Sequence, residues 1–78
     1  MKIRQMATDQ RGRVTGYARC ERSYREKLLR MGLIKGAEFT LIRCAPLGDP
    51  VEIELKGFNL TLRKAEADAL DVEPIAGS

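Results

Sequence analysis

The chain has 78 residues, with 14 Lys and Arg against 11 Asp and Glu and no histidine. That length fits one domain, residues 1–78, with a small stability margin and little room for an enclosed catalytic pocket. The lack of histidine removes the usual proton shuttle near neutral pH, and with it Cys-His and Ser-His-Asp nucleophile chemistry.

Charge is unevenly spread. Residues 1–36 hold ten Lys and Arg against three acids, and residues 37–78 hold four against eight. Such polarity suits an oriented encounter with a charged partner, or is simply an uneven solvated surface. Two cysteines, Cys20 and Cys44, do not make the framework of a small disulfide-stapled domain, and fit free thiols in a reducing compartment. Met1–Met6 has no apolar run of signal-peptide length, and no segment approaches the ~20 apolar residues of a membrane span. A soluble, intracellular protein is expected.

Arg13–Ala18 reads as a first strand, with Gly12 marking a turn before it and Gly16 a bend or bulge inside it. Helical periodicity takes over from Ser23 to Gly32. Either Ser23 caps that helix, with Glu26 three residues on, or the first turn starts at Glu21. Gly32 stands where a left-handed C-terminal cap is wanted. Tyr24, Leu28 and Met31 share one face and are expected to pack on the sheet. Leu29 falls on the polar side, near Arg22, Arg25 and Glu26. It is either a core-boundary residue or an exposed apolar contact in a basic surround.

Ala37–Cys44 reads as a long strand whose apolar phase changes: Ala37, Phe39 and Leu41 on one side, then Ile42 and Cys44 on the other. A curled small barrel produces that pattern. Six loop residues, Ala45–Pro50, lead to Val51–Lys56, which alternates cleanly with Val51, Ile53 and Leu55 inward. A turn at Gly57-Phe58 and a strand at Asn59–Arg63 complete a hairpin. Lys64–Ala69 reads as a short helical turn, and Leu70–Glu73 as a last strand with Leu70 and Val72 inward. Five short strands cannot hide an apolar face in a flat open sheet. The pattern predicts a mainly β fold. It is a small SH3-like five-stranded barrel with one helix between strands 1 and 2 and a helical turn before the last strand.

Chemistry-bearing constellations are sparse. Glu52 and Glu54 occupy the solvent side of an alternating strand and read as surface charge, not as an acid/base pair. Zinc sites want four close Cys or His ligands, so Cys20 and Cys44 read as small core hydrophobes, and neither a metal site nor a cofactor site is expected. The basic row Arg19, Arg22, Arg25, Lys27, Arg30 and Lys35 suits phosphates. However, two Tyr, two Phe and no Trp make no stacking platform. A nucleic-acid-binding barrel is therefore a second reading, and a metal-dependent regulatory domain a third. The loop points to protein contact. Pro46 and Pro50 remove backbone donors, Gly48 permits a sharp turn, and Asp49 can bond its own backbone. That leaves a stiff loop with Leu47 at its crown, the inward alternative being a Leu47 that caps the barrel.

The stretch "KLLRMGLIKGAEFTLIRCAPLGDPVEIELKGFNLTLRKAEADAL" resembles the core of the ferrous iron transport protein A (FeoA) family. The resemblance rests on Leu29-Arg30-Met31-Gly32-Leu33 at the helix end, Gly36 before the long strand, the loop Ala45–Pro50, and Leu62-Arg63-Lys64 after the hairpin. It runs from about Arg13 to Val72 and is most specific in the loop. It implies an SH3-like barrel without enzymatic activity or obligatory cofactor. It also implies a cytosolic partner of a FeoB-type ferrous iron permease, not inserted in the membrane and not bound to nucleic acid. The same fold resembles the C-terminal domain of iron- and manganese-dependent repressors, which carry a DNA-binding domain ahead of it. On that basis the partner-facing residues are Leu29, Arg30, Met31 and Gly32 at the helix end, with Pro46, Leu47, Gly48, Asp49 and Pro50 in the loop. Leu29 and Leu47 would be apolar contacts, Arg30 and Asp49 would orient them, and the glycines would set backbone shape.

Overall fold

The computed structural model describes residues 1–18 and 22–75. In chain order it contains β1 (Arg11–Tyr17), α1 (Arg22–Arg30), β2 (Glu38–Cys44), β3 (Val51–Leu55), β4 (Phe58–Leu62), α2 (Lys64–Asp68) and β5 (Leu70–Pro74). Short 3-10 turns lie at Ile3–Gln5 and Pro46–Gly48. All strand pairings are antiparallel, in the order β4-β3-β2-β1-β5. This is the expected SH3-like arrangement, with the helix after the first strand and the helical turn before the last.

Two register shifts bend the sheet. In β2, Leu41 pairs with Ile53 and Arg43 pairs with Glu52, so Ile42 is the extra residue of a bulge. The bulge flips the alternation, so Leu41 faces the core and Cys44, opposite the buried Val51, packs against it as well. This is the physical source of the two-phase pattern in Ala37–Cys44. In β1, Val14 pairs with Val72 and Gly16 with Asp71, which places a bulge at Thr15, next to the expected Gly16.

The core is apolar and closed around Val14, Leu28, Leu33, Leu41, Val51, Ile53, Leu62 and Leu70, each at most 1% exposed. Burying side chains of this kind is worth roughly 1.5–3 kcal/mol each, against about 0–1 for an exposed ion pair. The barrel is therefore held by these residues and not by the surface pairs Arg11–Glu38 or Arg13–Glu73.

The first residues do more than their sequence suggests. Ile3 is fully buried and Met6 is 7% exposed. The backbone N–H of Val72 donates to Met1 C=O at 2.9 Å, Lys2 Nζ pairs with Asp71 at 2.9 Å, and Arg4 pairs with Asp68 at 3.2 Å. Thus the N-terminal turn is stapled to β5 and α2. Gly12 is not a turn before the strand. It lies buried within β1, and a Cβ there would meet Met6 Cε and Phe39 Cζ at 2.8 Å.

α1 begins at Arg22, so Ser23 is its second residue and not its cap. The alternative start at Glu21, and Arg19 and Cys20, lie outside the described residues. Leu28 buries fully and Met31 packs partly against the core, but Tyr24 is only half-buried and stays outside it. Tyr17 of β1 takes that role instead. Its ring packs against the core beneath the Arg25 guanidinium, 5.6 Å from the ring centre, and its hydroxyl donates to Leu33 C=O at 2.6 Å. Burial pushes the Tyr17 phenol above its ordinary value, partly offset by Arg25.

Candidate functional site

The loop between β2 and β3 is tied at three points. Its base closes where Ala45 N–H donates to Pro50 C=O at 3.0 Å, and its turn closes where Gly48 N–H donates to Ala45 C=O at 2.8 Å. Asp49 does not bond its own backbone. Its Oδ1 accepts the N–H of Lys64 at 3.2 Å, fastening the loop to the first turn of α2. Pro46 opens the 3-10 turn, where its missing N–H has no partner to lose. The Asp49-Pro50 peptide bond is cis.

Leu47 sits at the crown with φ 67 and ψ 8, a left-handed conformation costly for a residue with a Cβ. It is 92% exposed, so the inward, barrel-capping alternative is wrong. The N-terminal segment has taken that place. Ile3 and Met6 are core members, and a Cβ on Gly48 would lie 3.9 Å from Arg4 Cβ.

The helix end is built by a Schellman motif. Leu33 N–H donates to Leu28 C=O at 3.0 Å and Gly32 N–H to Leu29 C=O at 3.1 Å, with Gly32 at φ 92. The bonded pair Leu28 and Leu33 is fully buried. Fixing that face turns Leu29 and Arg30 outward. Leu29 is 41% exposed, which decides for the exposed alternative over the core boundary.

The two groups of predicted residues do not form one patch. Met31 and Gly32 line an apolar groove of about 250 Å³ with Leu55, Lys56, Phe58 and Leu60, at the turn end of the β3–β4 hairpin. The loop Pro46–Pro50 adjoins Val51, at the other end of β3. There Asp49 shares a shallow depression with Tyr24, Arg63, Lys64 and Asp68. Phe58 was missed as a surface residue. It is 71% exposed and begins β4, because the turn is Lys56-Gly57 and not Gly57-Phe58. Both turn residues have positive φ, 52 and 84, the backbone of a two-residue type I′ hairpin. The available signal was the pairing of Leu55 with Phe58, which extends the alternating match of the two strands.

α2 carries the one buried charged side chain among the described residues. Glu66 is 3% exposed, bonds to Lys27 Nζ of α1, and accepts the N–H of Arg63 at 2.9 Å. Burial pushes its carboxyl up. The hydrogen bonds from Lys27 and Arg63 and their charges outweigh that and hold it below its ordinary value. Among the described residues no three Cys, Asp or Glu side chains are grouped so as to hold a metal ion, and no helix is long and apolar enough to cross a membrane.

The fold and its surface thus define a small SH3-like β-barrel whose prominent features are an apolar loop tip and an apolar groove. Residues 1–74 match the FeoA domain family, and the chain belongs to that family. It is 36% identical over 55 residues to the Fe(2+) transport protein A/Fe(2+) transporter FeoB fusion protein of Porphyromonas gingivalis. That match takes in 70% of this chain but only 6% of the fusion protein's length. The solution structure of FeoA from Chlorobium tepidum superposes with a TM-score of 0.85 at 38% identity, covering 100% of this chain and 73% of that one. A Stenotrophomonas maltophilia FeoA crystal structure, described as an SH3 domain protein complexed with zinc, gives a TM-score of 0.79 at 20% identity. It covers 94% of this chain and 89% of that one, and shows the shared fold.

Proposed function

We propose that the chain is a non-enzymatic accessory subunit of a ferrous iron uptake system. It works in the cytoplasm, held at the membrane through a FeoB-type permease whose cytosolic part it binds. The observation that carries this reading is Leu47, 92% exposed at the crown of a loop tied by backbone bonds and by Asp49. A pre-ordered loop loses less entropy on binding, and an apolar side chain held out at its tip gains by leaving water for a partner's pocket. The fusion relative lends support, because it joins an FeoA segment and a FeoB transporter in one chain. In this reading Pro46, Gly48 and Pro50 shape the loop and Asp49 positions it. Leu29 and Arg30 touch the partner at the other end, where Met31 and Gly32 set the surface. The uneven charge of the chain steers the encounter.

A pull-down with the permease's cytosolic domain tests this. Wild type is expected to be captured and Leu47→Asp to be lost while still folded. Equal capture of both would remove the loop as the interface.

A further inference from the structure

The two edges of the sheet are protected differently. β5 carries Asp71, Glu73 and Pro74, and its Val72 N–H is already taken by Met1 C=O at 2.9 Å. Charges and proline are the usual guards of a sheet edge. β4, at the opposite edge, reads Phe58-Asn59-Leu60-Thr61-Leu62, with neither charge nor proline. The two-residue turn makes Leu55 and Phe58 a hydrogen-bonded pair. The alternation then points the backbone groups of Phe58, Leu60 and Leu62 at β3, and those of Asn59 and Thr61 away from the sheet. Among the described residues, no backbone bond outside the sheet engages Asn59 or Thr61.

Beside this bare edge lies the apolar groove. Phe58 and Leu60 are on the core face of β4, opposite the buried Leu55 and Ile53, and the groove continues to Met31. Its one charged lining residue is Lys56, and the adjoining depression sets Lys35 and Glu38 beside that same lysine. Arg30, Lys35 and Lys56 are exposed and make no ion pair among the described residues. A second copy of the chain is a poor occupant. In antiparallel pairing of two β4 strands centred on Leu60, Lys56 in the turn before the strand of one copy would approach Lys64 at the start of α2 of the other, at both ends, and like charges brought together are destabilising.

From these observations we infer that β4 accepts an added strand from a partner protein. The added segment is extended, with alternate apolar side chains over Met31, Phe58 and Leu60 and an acidic residue at the end that faces Lys56. Backbone bonds to Asn59 and Thr61 supply affinity, and the groove and Lys56 supply selectivity. This goes beyond the loop-docking reading and stands whether or not a permease is the partner.

The test uses the full isotope-labelled chain and two synthetic peptides of alternating valine and threonine. One ends in aspartates and the other in lysines. The aspartate peptide is expected to slow amide exchange at Asn59 and Thr61, and to bind at least about tenfold more tightly than the lysine peptide. Thr61→Pro removes an outward donor at a position where an edge strand accepts proline, and should abolish protection of Asn59. Lys56→Glu, which leaves the strand unchanged, should weaken the aspartate peptide severalfold. Leu47→Asp should leave peptide binding unchanged, which separates this result from loop docking. No protection of Asn59 and Thr61 at millimolar peptide, or equal binding of the two peptides, would overturn the inference. So would protection that needs no peptide and rises with protein concentration, since a second copy would then be the occupant.

Discussion

Asp49 Oδ1 accepts the backbone N–H of Lys64 at 3.2 Å, so the loop that raises Leu47 is fastened to the start of α2. The bond joins two elements fifteen residues apart. It also sets a carboxylate at a helix N-terminus, where negative charge is favoured. Asp49→Ala should therefore lower stability by about 0.5–1 kcal/mol, and should weaken partner capture although Leu47 is unchanged. Thermal unfolding together with capture checks this. Unchanged capture would show that the prolines and the Ala45–Pro50 bond suffice to order the loop.

Gly32→Ala should cost about 1–2 kcal/mol, because φ 92 excludes a Cβ-bearing residue without strain. The new Cβ would also press on Leu55 Cδ2 at 3.3 Å. A fall in Tm of about 4–8 °C per kcal/mol is expected for a domain of this size. A neutral effect would contradict the Schellman geometry.

Glu66 predicts a pH signature. Its folded carboxyl titrates below its ordinary value of 4.5, so the folded state favours the charged form. The resulting stabilisation is fully present above that value and is lost as pH falls through the folded value. Glu66→Gln should destabilise most near neutral pH, and its deficit should shrink in acid. Denaturant unfolding at several pH values reads this out, and a deficit that grows in acid would refute it.

Leu47→Asn should raise stability by about 0.5–1 kcal/mol, since asparagine tolerates the left-handed backbone that leucine strains. The same change should weaken partner binding. A variant with lower stability would mean that Leu47 makes packing contacts that its exposure does not show.

Much of this architecture was legible in the sequence. Val51, Ile53 and Leu55 alternate with Glu52 and Glu54 and bury as their period requires. The phase change in Ala37–Cys44 signalled a curled barrel, though not the bulge at Ile42 that produces it, and Gly32 signalled the helix end. Ile3 and Met6 were not legible, because a single 3-10 turn is too short to show a period, and their burial is long-range: the Ile3 turn packs on β5 and α2, and Met6 lies beside Gly12 and Phe39. Tyr24 has the right helical spacing but loses its place to Tyr17, which reaches across to Leu33 C=O. The hairpin turn was read one residue late because Lys56, a poor candidate for positive φ, takes the position usually held by Asn or Asp. For the loop, the sequence showed stiffness, but only the folded chain shows that Leu47 points out and that Leu29–Gly32 lie at the other end of β3.

Calorimetric titration of the permease's cytosolic domain with wild type and Leu47→Asp tests the loop-docking proposal most directly. Leu47→Asp should unfold at or somewhat above the wild-type temperature, because aspartate, like asparagine, tolerates the left-handed backbone at this exposed position. Docking through the loop predicts that Leu47→Asp raises Kd at least about tenfold, equivalent to roughly 1.4 kcal/mol. Equal Kd values for the two folded chains would contradict it.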